Sequence, residues 1–296
     1  MTEPSCTKPY YETVTILGVG LLGGSLGLAL RRHNLALRII GQGRRVERLS
    51  AARALGAIDV LETDLSRAVA EADLIALCTP VRQIIEQLPQ VMRAARPGAL
   101  ITDVGSTKEA IAAVARAHGD APVTCIGSHP MAGSERSGVE HATASLYEGA
   151  TTFVTVENET PKDRLAELVR LWRTLGSRVV IAHPSRHDRL VAAVSHLPHL
   201  LAVAAVHTAS LVHDDENFLR AIIGGGFRDT TRVAAGSVDM WNDICATNPR
   251  AIIEVLDHFS EQIAAIRAGV AGPDHSGLSG LLEEARRLRQ GLDRAN

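Results

Sequence analysis

The sequence predicts an α/β chain of two domains, with a doubly wound parallel sheet and its helices over residues 11–184 and an all-helical domain over residues 185–296. In the first part, short apolar runs alternate with helical patterns, which is typical of parallel strands joined by crossover helices. From Arg186 onward the pattern is helical and no convincing strand is present. A chain of 296 residues is long enough for two such domains.

A glycine-rich turn near the start of the chain predicts that the first domain is a Rossmann-type nucleotide-binding domain. Residues 14–17 are β-branched or apolar and predict a buried strand, and residues 26–32 predict a helix. Gly18, Gly20 and Gly23 lie between them with the spacing G-x-G-x-x-G. Such glycines permit the tight turn, the approach of a pyrophosphate and the close packing of helix on strand, in that order. The helix N-terminus adds free N–H groups for phosphate. We therefore expect a dinucleotide at this turn, which includes Leu21 and Leu22; the alternative is an ordinary glycine-rich turn.

The segment after the second predicted strand, residues 38–41, bears on the choice of cofactor. A domain of this type that binds NAD usually has an acidic residue here to hold the ribose hydroxyl. This sequence has Gln42, Gly43, Arg44 and Arg45 instead. The two arginines predict a clamp for a 2′-phosphate, and therefore NADP in preference to NAD; the alternative is a solvated basic turn.

The next elements continue the alternation. We predict helices at residues 46–55, 65–71, 81–96 and 107–118, and strands at 72–78, 99–103 and 123–127. Ligands of doubly wound sheets bind beyond the carboxyl ends of the strands, so Ser106 and Lys108 are expected to face the cofactor. Alternatively, Ser106 caps the helix that begins near Thr107.

His129 follows the strand at residues 123–127 and is the first candidate for catalysis. It is expected in a loop rich in glycine and serine, with the Glu135 carboxylate nearby, and functional residues concentrate in such loops. The alternative is a structural histidine. Strands at 151–156 and 178–181 flank a helix at 162–175, and we expect them to extend the same sheet in a mixed sense.

The helical part contains one long apolar stretch, residues 190–212. It is long enough to span a bilayer, but it carries Ser195, His196 and His199 together with Pro198, so we expect a central helix of the domain, bent or broken at the proline, and no membrane. Residues 224–226 are three glycines, expected to form a loop between helices. Arg232 lies just beyond as a candidate carboxylate clamp, or else a surface ion pair. The histidine pairs 183/187 and 196/199 lack a third ligand of suitable spacing, so no metal is expected.

Composition excludes other classes of function. There are 31 basic and 33 acidic residues without a basic block, which argues against nucleic acid as a partner. The four cysteines are scattered and form no C-x-x-C pair, which favours reduced thiols and a cytoplasmic location. The first twelve residues lack the basic-then-apolar pattern of a signal peptide.

Several segments together resemble the prephenate/arogenate dehydrogenase family of tyrosine biosynthesis, and they occur in the family's order across nearly the whole chain. They are GVGLLGGS at 18–25, CTP at 78–80, DVGSTK at 103–108, GSHPMAGSERSGVE at 127–140, HD at 187–188, SHLPH at 195–199 and GFRDTTR at 226–232.

The resemblance implies oxidative decarboxylation of prephenate to 4-hydroxyphenylpyruvate, or of arogenate to tyrosine, with NAD(P) as oxidant. It also implies a homodimer formed through the helical domain, with the active site between the two domains. His129, Ser106 and His199 would be catalytic, with His129 holding or accepting the proton of the ring hydroxyl. The further residues would be Arg232, Ser195, His196, Trp241, Glu135 and the partner subunit's Gly225 around the substrate, and Cys78, Thr79 and Pro80 around the cofactor.

Two other interpretations remain open at this point. A β-hydroxyacid or imine-reducing dehydrogenase shares the domain plan, but it would need a catalytic lysine or a different polar set on the long helix, where this chain has SHLPH. A nucleotide-sensing module would leave His129, His199 and Arg232 without a role. Prephenate is favoured over arogenate because His199 adds a donor while no carboxylate is evident there for an ammonium group.

Overall fold

The main sheet of the computed structural model contains six parallel strands. The structure describes residues 10–133, 136–212, 215–272 and 276–293. The strands are β1 (Tyr11–Leu17), β2 (Ala36–Gln42), β3 (Val60–Glu62), β4 (Leu74–Leu77), β5 (Leu100–Asp103) and β6 (Thr124–Cys125), in the spatial order β3-β2-β1-β4-β5-β6. Every pairing is parallel. The strand order therefore reverses between β1 and β4, which is where doubly wound sheets bind their ligands.

Five helices connect these strands and cover both faces of the sheet. They are α1 (Leu21–Arg32), α2 (Val46–Ala54), α3 (Leu65–Val69), α4 (Val81–Ala94) and α5 (Glu109–Ala117). Successive residues of β1 point to opposite faces, so that Ile16 packs into one hydrophobic cluster with Leu26 while Leu17 packs into the other with Ile84. The predicted alternation is thus confirmed, and β3 is the one strand of this sheet that the sequence did not predict.

A second, three-stranded sheet contradicts one prediction. β8 (Thr151–Thr155) and β9 (Arg178–Ala182), which flank α6 (Lys162–Thr174), do not extend the main sheet. Instead β8 pairs in parallel with β9 and antiparallel with β7 (Ser128–Pro130). His129 therefore lies on a strand opposite Phe153, and not in a loop as expected. The hydroxyl of Ser128 fixes β7 in place, 2.9 Å from both Thr102 Oγ1 and Trp172 Nε1.

The part of the chain described from residue 184 onward contains helices and no strand, as predicted. Its elements are α7 (Pro184–Val191), a π-helical turn (Ala192–His196), α8 (Leu197–Leu211), α9 (Glu216–Ile222), α10 (Gly225–Thr231), a 3₁₀ turn (Arg232–Ala235), α11 (Val238–Thr247), α12 (Pro249–Ala271) and α13 (Ser276–Asp293). The predicted glycine loop at 224–226 is wrong in part, because Gly225 and Gly226 form the first turn of α10.

The long apolar helix is continuous from Pro184 to Leu211. Pro198 does not break it, and the helix is irregular just before the proline, where residues 192–196 form a π turn. By length and composition this helix could cross a membrane, but such a helix alone is weak evidence for that. Only 28% of its most apolar 18-residue stretch is buried within one chain. The neighbouring helices of the monomer therefore do not bury this helix as the sequence led us to expect.

Candidate active site

Three loops at the carboxyl edge of the main sheet lie side by side. The backbone N–H of Gly18 donates to Gln42 O at 3.0 Å, that of Cys78 donates to Leu17 O at 2.7 Å, and that of Val104 donates to Leu77 O at 3.1 Å. The glycine-rich turn, the segment at 78–80 and the loop that contains Ser106 therefore meet at one edge, as the sequence predicts.

The glycine-rich turn has the geometry that a pyrophosphate needs. Gly18 has a φ of +88°, which disfavours other residues. A Cβ at Gly23 would lie 2.2 Å from the Gly18 carbonyl oxygen, so helix and strand pack closely there. A Cβ at Gly20 would have no atom within 4 Å, and Gly20 caps α1 without a side-chain hydrogen bond. The first N–H groups of α1 thus have no side-chain cap and open space next to them.

The four residues predicted to bind the cofactor's ribose, residues 42–45, lie at and just after the end of β2 and differ in how exposed they are. Gln42 is buried, and its Nε2 donates to Thr63 O at 3.1 Å, so this side chain is used inside the fold. Arg44 and Arg45 are exposed. The nearest carboxylate on the neighbouring strand, Glu62, accepts from the N–H groups of Thr63 and Asp64 and pairs with Arg67.

The loop after β5 corrects two predictions. Lys108 does not face the cofactor edge, because its side chain is fully buried, where it forms an ion pair with Asp103 and donates to Ser128 O at 2.7 Å. Burial lowers the pKa of Lys108 and raises that of Asp103, and their pairing opposes both shifts. Ser106 is half-buried and does not cap α5, which begins at Glu109.

The helix α5 is capped from the other domain. The carboxylate of Asp188, on α7, accepts from the backbone N–H groups of Lys108 at 2.8 Å and Glu109 at 2.9 Å. The side-chain amide of Asn248 donates to the Asp188 carbonyl at 2.9 Å. Asp188 thus joins the loop that carries Ser106 to the helical domain.

His129 is the end of a hydrogen-bonded row of three side chains. Its Nδ1 lies 2.9 Å from Nε2 of His187, and Nδ1 of His187 lies 2.7 Å from Oδ1 of Asp188. His187 and Asp188 are buried, whereas His129 is half-buried. Loss of hydration lowers the pKa of His129 well below 6.5, and His187, Lys108 and His196 lower it further. The pKa of His187 is also lowered by burial, against the opposing effect of Asp188. Both imidazoles are therefore neutral near pH 7.

The predicted residues of the long helix form a second group around Trp241. The ring of His199 stacks on Trp241 with 3.5 Å between centroids and 11° between planes. His196 meets the same indole edge-on, with 5.9 Å between centroids, and burial lowers the pKa of His196 to about 4. Ser195 lies half-buried within the π turn. The structure therefore brings His196 and His199 together on Trp241, whereas Ser195 is placed only by its position in the π turn.

The remaining substrate residues lie on the surface of the single chain. Arg232 and Gly225 are exposed, at the start of the 3₁₀ turn and of α10. The 3₁₀ turn is followed by Gly236, where an added Cβ would lie 2.8 Å from Trp241 Nε1 and 3.4 Å from His199 Cε1. Arg232 therefore begins a turn that ends against the His199–Trp241 stack. Glu135 lies outside the described residues.

The histidine pair 183/187 considered for metal binding has other partners. His183 binds the hydroxyl of Ser185, and His187 binds His129 and Asp188. Within the ranges that the structure describes, no group of three or more histidine, cysteine, aspartate or glutamate side chains could hold a metal ion.

The structure also shows site residues whose roles no local sequence pattern predicts. The pair at 187–188 stands out in the sequence only as part of a motif, and Asn248 and Asp103 carry no signal of their own. His187 is 58 residues from His129, and nothing periodic in the sequence links them. A histidine followed by an aspartate at the start of a helix is the one available hint.

Comparisons with known proteins agree with this architecture. A model of the prephenate dehydrogenase nucleotide-binding domain matches residues 26–181, and a model of the prephenate dehydrogenase dimerization domain matches residues 183–284. Prephenate dehydrogenase of Bacillus subtilis is 34% identical over 285 residues, which cover 95% of this chain and 76% of that protein.

Two solved structures extend the comparison to three dimensions. Prephenate dehydrogenase of Aquifex aeolicus in complex with hydroxyphenyl propionate and NAD+ has a TM-score of 0.85 at 30% identity, covering 95% of this chain and 98% of that one. Synechocystis arogenate dehydrogenase has a TM-score of 0.82 at 29% identity, covering 95% and 99%.

Proposed function

The chain belongs to the prephenate dehydrogenase family, and we propose on this premise that it converts prephenate to 4-hydroxyphenylpyruvate and carbon dioxide with a nicotinamide cofactor as oxidant. The observation that supports this reaction most directly is His129. It is a neutral, half-buried imidazole whose Nδ1 is held by His187, and Lys108 and His196 lie close enough to lower its pKa. A neutral imidazole is the usual proton acceptor at physiological pH.

The residues that we assign to the cofactor are those that line the carboxyl edge. Gly18, Gly20 and Gly23 with the first turn of α1 would hold the pyrophosphate, and the segment at 78–80 and Ser106 would flank the nicotinamide. When bound, the nicotinamide supplies the two-electron oxidant for the ring carbon that carries the hydroxyl.

The protein's part in the chemistry is positioning and proton handling. His129, assisted by Ser106, holds or accepts the hydroxyl proton while that carbon is oxidised. Loss of the ring carboxylate as carbon dioxide then makes the ring aromatic, and the proton can return to the phenolate oxygen. Aromatisation supplies the driving force, so placement of the substrate is the main requirement. We assign the substrate's carboxylate to Arg232 and the walls of its pocket to Ser195, His196, His199 and Trp241.

We propose prephenate in preference to arogenate, which carries an ammonium group in place of the keto group. His199 is a donor suited to a keto oxygen or a carboxylate. Two carboxylates of this region are already engaged, Asp188 with the α5 N-terminus and Asp243 with Arg82 at 2.5 Å. An ammonium group would therefore find no free acidic partner among them.

We propose that the cofactor is NADP. Arg44 and Arg45 are exposed beside the glycine-rich turn, and the described residues offer neither of them an ion-pair partner. The α2 N-terminus at Arg45 has no side-chain cap, which adds free N–H groups. Glu62, the nearby carboxylate, is engaged elsewhere. The site thus offers two cationic side chains to a 2′-phosphate, while Glu62 is not free to hold a ribose hydroxyl.

We further propose a homodimer built on the helical domain, in the cytoplasm. The single chain exposes large apolar residues there, including Leu211, Val212, Phe218 and Ile222, each more than 60% exposed. A second copy is the simplest cover for such a surface. Cys78, Cys125 and Cys245 are free thiols, which suits a reducing compartment.

Steady-state kinetics with prephenate and arogenate, each against NAD and NADP, tests the reaction and both preferences. We expect the highest kcat/KM for prephenate with NADP. Gly43→Asp combined with Arg44→Gln should move the preference toward NAD by roughly 10- to 100-fold, whereas Arg53→Gln, at the far end of α2, should not. Failure to reduce either cofactor with either substrate would contradict the reaction, and a tenfold preference of the parent for NAD would contradict the NADP proposal.

A further inference from the structure

We propose that His187 and Asp188 are positioning residues that fix the proton of His129 on Nδ1 and leave Nε2 as the proton acceptor. This inference deepens the proposed function and rests on it for the identity of the reaction. It is carried by the row of short contacts from Asp188 through His187 to His129.

The direction of the hydrogen bonds follows from what each atom can do. An ionised carboxylate only accepts, so Asp188 requires a proton on Nδ1 of His187. A neutral imidazole then has only a lone pair on its other nitrogen, and Nε2 of His187 must accept. Nδ1 of His129 must therefore donate, which leaves the lone pair of His129 on Nε2.

The first member of the row cannot easily turn away. The two carboxylate oxygens of Asp188 accept from the N–H groups of Lys108 and Glu109, at the positive end of the α5 dipole. A carboxylate held in this way accepts at both oxygens, and this imposes the direction on the row. The backbone of Asp188 is also fixed, because Asn248 donates to its carbonyl.

The middle member is held by packing as well as by hydrogen bonds. His187 is fully buried, with its ring edge-on to Phe153 at 4.9 Å and to His129 at 5.1 Å between centroids. A flipped ring would lose both of its hydrogen bonds inside the protein, which is costly. His129 differs from His187 in being half-buried, which is what a residue that must reach a substrate requires.

The surrounding charges make this support useful when His129 takes up a proton. The groups that face His129 are His187 from α7, Lys108 from the start of α5 and His196 from the π turn, and of these the cation Lys108 disfavours a positive imidazole while both histidines are neutral near pH 7. Asp188 is the acidic member of the row and can stabilise that charge through His187. Its effect on the reaction should therefore be larger than its effect on binding.

The test compares three variants that differ in the hydrogen bonds they can form along the row Asp188–His187–His129. In Asp188→Asn the amide oxygen can still accept from the N–H of Glu109, while the amide nitrogen replaces Oδ1, gives up the Lys108 contact and donates to His187. This reverses the row and places the proton of His129 on Nε2. In His187→Phe the ring is kept and the acceptor is lost. In His187→Gln the side-chain oxygen can still accept from His129. His118→Gln, at the opposite end of α5, is the control.

We expect kcat with prephenate to fall about 100-fold or more in Asp188→Asn and His187→Phe, with the cofactor Kd unchanged. The kcat of His187→Gln should stay within about tenfold of that of the parent, and the kcat of the control His118→Gln should equal that of the parent. The dependence of kcat on pH is a second readout, because loss of the Asp188 carboxylate should shift the acidic limb of this profile. If Asp188→Asn fails to fold, the contrast between the two His187 variants still decides the matter.

Nitrogen NMR of histidine-labelled protein without substrate gives a readout that does not depend on activity. The His129 signal, assigned with His129→Asn, should show a protonated Nδ1 and an unprotonated Nε2 in the parent and the reverse in Asp188→Asn. A protonated Nε2 in the parent, or a His187→Phe variant within threefold of the parent in kcat, would overturn the inference. A parent inactive on both substrates would contradict the proposed function instead, while the NMR result would still decide the tautomer.

Discussion

Gly20 and Gly23 allow the same chemical change to be made at two sites with opposite expected consequences. At Gly23 an added Cβ would lie 2.2 Å from the Gly18 carbonyl oxygen, so the backbone would have to move by about 1 Å to reach ordinary contact. Such overpacking costs roughly 1–3 kcal/mol, which corresponds to a fall in Tm of roughly 2–12 °C for a domain of this size.

At Gly20 the added methyl group meets no atom within 4 Å and φ is −98°, so the fold can accept it. Only the weaker N-capping ability of alanine counts against it, about 1 kcal/mol. The open space is where we place the pyrophosphate, so the cofactor Kd should rise about tenfold or more, equivalent to about 1.4 kcal/mol.

Thermal unfolding without ligand and a titration of each variant with NADPH, followed by its fluorescence, separate the two effects. We expect Gly23→Ala to show the larger fall in Tm and Gly20→Ala the clean loss of affinity in a well-folded protein. A Gly20→Ala variant that binds NADPH like the parent would refute the assignment of the open space. A Gly23→Ala variant as stable as the parent would refute the packing argument.

Three further predictions concern the other parts of the site. His129→Asn should lower kcat by roughly 10²- to 10⁴-fold while the cofactor Kd stays unchanged, because the proton acceptor is lost and the glycine-rich turn is not. Arg232→Ala should raise the KM for prephenate through loss of a contact worth roughly 1.5–3 kcal/mol, and Arg232→Lys should restore only part of it, because an ammonium group cannot make the planar two-pronged contact. The folded-state pKa of His196, about 4, lies below its ordinary value of 6.5, so its contribution to stability is present above pH 6.5 and is lost as the pH falls toward 4. Denaturant unfolding across this range should therefore show a smaller loss of stability in His196→Gln than in the parent.

Each of these predictions has a contradicting result. A near-normal kcat in His129→Asn would remove that residue from the reaction. Equal KM values in the parent and both Arg232 variants would make the arginine structural. Parallel stability curves for the parent and His196→Gln between pH 6.5 and pH 4 would show that this histidine does not gain a proton on unfolding.

The main sheet could be predicted because its strands are marked locally. β1 and β4 contain apolar runs bounded by turn residues. Because successive residues of a strand point to opposite faces, a continuous apolar run indicates a strand that is buried on both faces. β3 has three half-buried residues, and β7 has three residues of which the last is proline. Neither is distinguishable from a loop without its partner, and the partner of β7 lies more than 20 residues further along the chain.

The site also contains residues that could be predicted from the sequence and residues that could not. The glycine-rich turn was predictable because each glycine answers a steric demand of its immediate neighbours. The roles of Lys108 and His187 were not, since Lys108 precedes α5 and turns inward to Asp103, and His187 meets His129 only when the two domains pack together. Pro198 shows an intermediate case, because the sequence signalled an irregular helix and only the structure shows a π turn.

The capping of α5 by Asp188 has a consequence for the order in which the chain is synthesised. A ribosome completes the glycine-rich turn, His129 and the whole main sheet before it reaches residue 187, and Asn248 follows Asp188 by a further 60 residues. A nascent or truncated first domain would therefore have its cofactor edge but neither the cap on α5 nor the partner of His129. Under the proposal above, a fragment of this kind could bind nucleotide but could not oxidise substrate, so activity requires that α7 and the segment around Asn248 have been translated and docked.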